Sequence, residues 1–370
     1  MKKIHILLLL TCITTASFSQ VTKNFLFETL SRTYVVYTPT SYNANNPLPL
    51  VFVLHGFTQT ASGIMDFSNF NAIAEANNFI AVYPNGTGSL QRWNSDIGAS
   101  GVNDYGFLLA LLDTMQANYA INTNRVYSCG FSNGGFMSHM LACQSNRFAA
   151  IASVGGTMTE ATFNACNPSK KLPVLVIHGT SDAIVSYNGL AGTSKSVNDV
   201  VSLWNTKNNC PSTPSTTALL DITNDGTTVD SISYLPCANQ TEVQLLKVNN
   251  GGHQWPSAIG NSGLGVTCTD INASQSIWNF FNKMSSPNGS SDVHELNSIR
   301  LLPNPVEDIL QILNSKEVVS INLHDITGKC VLTTPFRNSI SLQNIRTGHY
   351  ILLLTNEKGK VLSSHKIFKR

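Results

Sequence analysis

The sequence predicts an α/β protein, with a mainly parallel, doubly wound sheet followed by a small all-β sandwich. Three observations carry this reading. Between residues 34 and 248, short apolar runs alternate with helix-like segments, as in a sheet covered on both faces. One of those runs, "RVYSC" (125–129), passes through "GFSNGG" (130–135) into a segment with Phe136, Met137, Met140 and Leu141 at helical spacing. After the Pro/Gly/Ser stretch "MSSPNGSSDV" (284–293), the pattern changes to short strands separated by turns.

Residues 1–19 read as a secretory signal peptide. Lys2 and Lys3 form its positive end, Ile4 to Ile13 its apolar stretch, and Ser17-Phe18-Ser19 a small-x-small cleavage site before Gln20. That stretch is too short to span a bilayer and no other run approaches about 18 apolar residues, so no stable membrane insertion is expected. Cys12, preceded by Thr11, is a poor lipidation site.

Residues 20–283 are expected to form the catalytic domain. Its strands are read at 34–37, 50–54, 79–82, 126–129, 150–154, 174–177 and 243–248, and its helices at about 68–77, 104–119, 134–145, 197–206 and 271–283. Asp104, ahead of "YGFLLALLDTM", is expected to cap its helix rather than act as an acid. Residues 284–293 read as a linker, and 294–370 as the sandwich.

At 42% hydrophobic residues among 370, the chain has the composition of a core-forming globular protein. Residues 20–293 hold 11 basic and 15 acidic side chains, against 10 and 6 in 294–370. Neither stretch has the concentrated basic face of a nucleic-acid binder. Seven cysteines remain after the signal segment, and an exported chain usually pairs its own. Cys210 with Cys237 is the first expected pair, Cys143 with Cys166 the second, and Cys129 a buried free thiol.

The stretch around Ser132 poses the functional question. A G-x-S-x-G match arises by chance ~0.2 times at this composition, so the rest of a hydrolytic site must supply the argument. A serine nucleophile on a strand-to-helix elbow needs glycine at both flanking positions, because neighbouring backbone leaves no room for Cβ atoms. Gly130 and Gly134 meet that need. The serine also needs a base and a carboxylate to orient it, in the chain order Ser, Asp or Glu, His.

Downstream of Ser132 the domain offers three histidines. His139 points along the helix that starts at the elbow, and His178 precedes the best acid, so it reads as a structural partner of its loop. His253, in "NNGGHQWP" after the last strand, is the expected base. Asp182, just past the strand end in "HGTSD", is the expected acid. One oxyanion donor is the N–H of Asn133, and the other that of Phe57 or Thr58 in "LHGFTQT", where His55 is structural. No H-E-x-x-H or paired-carboxylate motif appears and "GNSGLG" (260–265) lacks phosphate-loop context, so no metal or cofactor is expected.

Together "LHGFTQT", "YPNG…RWN", "DYGFLLALLD", "RVYSCGFSNGGFMSHMLACQSNRFAAIASVGGTM", "PVLVIHGTSDAIVSY" and "NNGGHQWP" resemble secreted α/β-hydrolases of the polyhydroxybutyrate depolymerase, feruloyl esterase and acetylxylan esterase group. The resemblance covers about 25–283. It implies the α/β-hydrolase fold, a triad of Ser132, Asp182 and His253, and oxyanion donors at Phe57 and Asn133. That group often has Cys where this chain has Phe57. An aromatic there also looks like cutinase and polyester-hydrolase sites, where the ring stacks on an aromatic acyl unit. Phe57, Thr58, Trp93 and Trp255 are accordingly the expected substrate contacts, and Trp204 and Trp278 core residues.

In the C-terminal region, "LLPNPVEDILQI", "LHDITGK", "TGHYILLL" and "KIFKR" resemble a type IX secretion sorting domain, which implies that export machinery as a partner and an extracellular or cell-surface destination. The expected activity is a secreted serine carboxylesterase acting on feruloyl or acetyl esters of xylan, or else on polyesters. A non-catalytic polymer-binding protein and a serine peptidase are the remaining alternatives.

Overall fold

The computed structural model describes residues 19–260, 263–284, 300–302, 306–313, 318–325, 329–357 and 361–370. The expected signal segment lies outside these apart from Ser19, and the expected linker apart from Met284. The chain divides into two compact units, one ending at Ser286 and one starting at Pro287.

The first unit is built on a ten-stranded sheet in the order β1-β2-β4-β3-β5-β6-β7-β10-β9-β8. Its strands are β1 (Ser19–Phe27), β2 (Leu30–Thr38), β3 (Leu48–Leu54), β4 (Ile80–Pro84), β5 (Ile121–Phe131), β6 (Ala150–Val154), β7 (Val174–Gly179), β8 (Ser215–Ala218), β9 (Thr228–Tyr234) and β10 (Val243–Asn249). From β4 to β10 neighbours run parallel, and antiparallel strands extend both edges. The central strands are the continuous apolar runs of the sequence, buried on both faces.

The helices are α1 (Ala61–Ser68), α2 (Phe70–Asn77), α3 (Asp104–Asn118), α4 (Asn133–Gln144), α5 (Glu160–Ala165), α6 (Val197–Asn208) and α7 (Ala273–Lys283). Two hydrophobic clusters, one on each face of the sheet, seat them. Among the described residues no helix is long and apolar enough to cross a membrane.

Several expectations are corrected. The helix expected at 68–77 is α2, starting at Phe70, and an unforeseen helix, α1, precedes it across Asn69 at φ 50°. Asp104 does not cap α3. Asn103 does, accepting from the Gly106 N–H (2.8 Å), while Asp104 turns inward to pair with Arg32 at 2.7 Å. Strands β1, β8 and β9 and helix α5 escaped the sequence reading, being short, polar or at an edge.

Both expected disulfides are present, Cys143–Cys166 and Cys210–Cys237, and Cys129 is a buried free thiol. Trp204 and Trp278 are buried, as expected.

The second unit comprises β11 (Arg300–Leu302), β12 (Ile309–Leu313), β13 (Ser320–Asp325), β14 (Cys330–Pro335), β15 (Ser339–Ser341), β16 (Gly348–Thr355) and β17 (Val361–Lys369). They form two antiparallel sheets, β11-β12-β15 and β14-β13-β16-β17. Leu310, Ile321, Leu323, Leu352 and Leu354 are buried in their shared core.

His139 accepts a hydrogen bond from the Trp204 indole N–H (3.1 Å), and burial pushes it down to about 3. The folded chain keeps this ring neutral, whereas an unfolded histidine takes a proton below about pH 6.5. Its contribution to stability is therefore intact above pH 6.5 and declines as the pH falls towards 3. The melting temperature should drop across this range, and His139→Asn, which keeps an acceptor for Trp204, should make the drop shallower. Parallel melting curves against pH for the two proteins check this.

Candidate active site

Ser132 ends β5 and opens α4 at φ 52°, ψ −118°, a conformation that side-chain-bearing residues rarely adopt. Its N–H donates to the Val154 carbonyl (2.8 Å), and its own carbonyl accepts from Gly135 (2.8 Å) and Phe136 (3.1 Å). A Cβ on Gly130 would lie 2.4 Å from the Gly134 carbonyl carbon, and one on Gly134 2.2 Å from the Leu54 oxygen. The two glycines therefore let β3, β5 and α4 converge under the serine. Its residue is only 8% exposed, set into the carboxyl edge of the sheet.

Asp182 sits in the turn after β7. Its Oδ1 accepts from the Ile184 and Val185 N–H groups (2.9 and 2.8 Å), and its Oδ2 from His253 Nδ1 (2.7 Å). Burial by itself would raise this carboxyl. Hydrogen bonds from His178 and His253 outweigh it and hold the group well below the usual carboxylate range. His253 follows β10, its N–H fixed on the Leu264 carbonyl (2.8 Å). Its ring packs on Phe131, the residue before Ser132, at 4.8 Å between centroids. Gly155, at φ 58°, leaves that space open, since a Cβ there would come within 3.3 Å of the imidazole. Asp182 and His253 are thus bonded directly, beside the strand end that carries Ser132.

The turn after β3 is stitched by Gln59, which accepts from the Gly56 N–H at Oε1 (2.9 Å) and donates its own N–H to the Gly56 carbonyl (3.1 Å). The Thr58 N–H is engaged by the Leu90 and Gln91 carbonyls, both at 3.0 Å, and is not available to a developing oxyanion. Among the described residues the N–H groups of Phe57 and Asn133 donate to no protein acceptor. His55 is structural, as expected. It donates from Nδ1 to the Gly56 carbonyl and accepts the Gly86 N–H at Nε2, and burial lowers it to about 4.

Beside this loop opens a cleft of about 700 Å³, lined by Phe57, Arg92, Trp93, Asp96 and Asn133 among others. Phe57 is 48% exposed and faces solvent at its rim. The expected contacts otherwise need correction. Trp93 lines the wall but is only 2% exposed, because its indole N–H donates to the His55 carbonyl (2.9 Å) and its ring lies against His55. Trp255 is 1% exposed and bonded to Ser274 Oγ (3.1 Å) in the core beneath Phe131, out of reach of any ligand. Thr58 is exposed but does not line the cleft.

Two features were missed in the sequence. The Asn133 side chain brackets one residue of the cleft wall, its Oδ1 accepting the Trp93 N–H (2.7 Å) and its Nδ2 donating to the Trp93 carbonyl (3.1 Å). The buried Arg32–Asp104 pair holds both ends of the same loop, Arg32 through the Asn85 carbonyl (2.9 Å) and Asp104 through the Asn94 N–H (2.8 Å). The only local signal was residue type: an amide carries the donor and acceptor that a peptide group needs.

The profile of the Esterase PHB depolymerase family matches residues 32–251. This chain belongs to that family. Residues 300–370 match the secretion system C-terminal sorting domain. Within this esterase family's reach, the chain is 29% identical over 227 residues to a bifunctional acetylxylan esterase/xylanase of Neocallimastix patriciarum, covering 60% of this chain and 31% of that protein. It is 30% identical over 168 residues to feruloyl esterase D of Neurospora crassa, covering 42% and 55%. The chain thus spans between about a third and just over half the length of these curated relatives. An acetyl xylan esterase structure from Aspergillus awamori superposes with a TM-score of 0.51 over 72% of this chain and 99% of that one, at 16% identity, a likeness of fold. The chain therefore has the α/β-hydrolase fold with a separate antiparallel β region.

Asn133→Ala leaves the backbone N–H in place and removes the bracket on Trp93. It should cost about 1–2 kcal/mol of stability, the worth of two hydrogen bonds to buried backbone. It should also shift the Trp93 contribution to the fluorescence spectrum. Chemical denaturation gives the first effect and the native-state tryptophan emission spectrum the second.

Proposed function

We propose that this chain is a secreted serine carboxylesterase. The single observation that carries the reading is the hydrogen bond of 2.7 Å between Asp182 and His253 Nδ1 at the strand edge where Ser132 occupies its elbow. Membership of the esterase family supports the same reaction.

In the mechanism, Ser132 Oγ attacks the ester carbonyl carbon while His253 takes its proton, and Asp182 stabilises the resulting imidazolium. The N–H groups of Phe57 and Asn133 receive the negative oxygen of the tetrahedral intermediate. Its collapse expels the alcohol, protonated by His253, and leaves an acyl group on Ser132. Water, deprotonated by His253, then attacks the acyl carbonyl, and collapse releases the acid as His253 returns the proton to Ser132 Oγ. No step calls on a metal or a cofactor.

The preferred substrates are acetyl or feruloyl esters on xylan. The polar lining that Asn94, Ser95, Asp96 and Ser100 give the cleft suits a hydroxyl-rich alcohol, and the relatives carry acetylxylan and feruloyl esterase names. One observation favours a second reading, hydrolysis of a polyester: Phe57, Ile184 and Leu264, on three of the loops that carry the site, are exposed apolar side chains. The sorting domain supports export by type IX machinery.

The test is chromatographic product release from feruloylated xylan, acetylated xylan, a hydroxybutyrate polymer and an aromatic polyester. Release from the xylans is expected, and Ser132→Ala should lower it by about a million-fold, as in comparable triads. Turnover undiminished in Ser132→Ala would dismiss the triad. Release from the polyesters alone would make the second reading the correct one.

A further inference from the structure

We propose that His178 is a positioning residue for ester hydrolysis, sharing one oxygen of Asp182 with His253 and so setting how strongly that carboxylate supports the imidazolium. The inference rests on the Ser132–His253–Asp182 reading given above.

His178 lies on β7 four residues before Asp182, and its side chain is fully buried. Its Nε2 is 2.8 Å from the Val185 carbonyl and 3.3 Å from Asp182 Oδ2. A carbonyl only accepts, so Nε2 carries the hydrogen, bonded to Val185 with Asp182 Oδ2 in contact beside it. Asp182 Oδ2 therefore meets two imidazoles, His253 through a hydrogen bond and His178 at the longer contact, while Oδ1 is held by two backbone N–H groups. The Val185 residue that anchors His178 through its carbonyl also donates its N–H to Asp182, so imidazole and carboxylate are tied to the same turn residue.

Each donor on a carboxylate draws off part of its charge. With His178 in place, less of that charge faces His253. With the His178 N–H gone, the charge concentrates towards His253, the imidazolium is favoured, and the base stays protonated to a higher pH.

Other groups near His178 do not replace it. Tyr187 meets the ring edge to face at 6.0 Å, with Tyr234 and Asp230 beyond it. Lys247, in register with His178 on β10, is paired with Asp230 at 3.9 Å. A residue that merely filled space here would need no N–H.

The experiment measures kcat and KM against pH on p-nitrophenyl acetate for the full chain, His178→Leu, His178→Asn and His178→Gln, with Ser132→Ala as blank. Melting temperatures are recorded for each, and Asn, whose shorter amide reaches only the place of Nδ1, provides a second variant with no donor at the place of Nε2 should Leu fail to fold. In Leu and Asn the acid limb of kcat/KM should move up by about half a pH unit, with KM changed by less than about two-fold. The Gln side chain can place an N–H near the same oxygens, so it should bring the acid limb back towards that of the parent. An acid limb identical in parent, Leu and Asn, or displaced as far by Gln as by Leu, overturns the proposal. Turnover persisting in Ser132→Ala would overturn the triad reading instead, whatever the His178 variants do.

Discussion

At φ 52° and ψ −118°, Ser132 occupies backbone space that costs about 1–3 kcal/mol, and the chain around it has to supply the restraint. Strand β5 is clamped between β3 and β6, and the Ser132 N–H continues the ladder onto the Val154 carbonyl. The cost falls where many hydrogen bonds converge, so the turn cannot relax without disturbing the centre of the sheet. From that one residue follow the start of α4, the exposure of the Asn133 N–H, and the aim of Phe131 beneath the His253 ring.

Two buried anions organise what surrounds the serine, in different ways. Asp182 faces only donors, two backbone and two imidazole, and holds the loops after β7 and β10 to each other. Asp104 faces a guanidinium. Burying that pair carries a desolvation cost, and removing one partner would strand a charge at about 3–5 kcal/mol. What the pair secures is the loop from Asn85 to Asn94, gripped at both ends and bracketed at Trp93 by Asn133. The cleft wall and the start of α4 are thus joined by hydrogen bonds.

The covalent links match an oxidising destination. Cys143–Cys166 joins the end of α4 to the segment after α5, and Cys210–Cys237 fastens the excursion between α6 and β10. The free thiols Cys129 and Cys268 are buried, and burial pushes both above the ordinary thiol range. With the matched sorting domain, these features fit the export proposed above.

By itself the sequence determined the fold class and the central strands, and it offered the two cysteine pairs and the chain order of the candidate residues Ser132, Asp182 and His253. Each is expressed locally, as a continuous apolar run, a spacing or a glycine pattern. Tertiary structure alone decided the rest. Trp93 and Trp255 look alike as loop aromatics, yet one walls the cleft and the other fills the core, because His55 and Ser274 take their N–H groups. Asp104 reads as a cap until Arg32, 72 residues earlier, arrives to neutralise it. His178 reads as a loop anchor, and its bond to the Val185 carbonyl makes it one, but only the fold brings Asp182 and His253 together beside it. Periodicity reports which residues must leave water, but a buried polar group is defined by its partner, and partners are chosen by the folded chain.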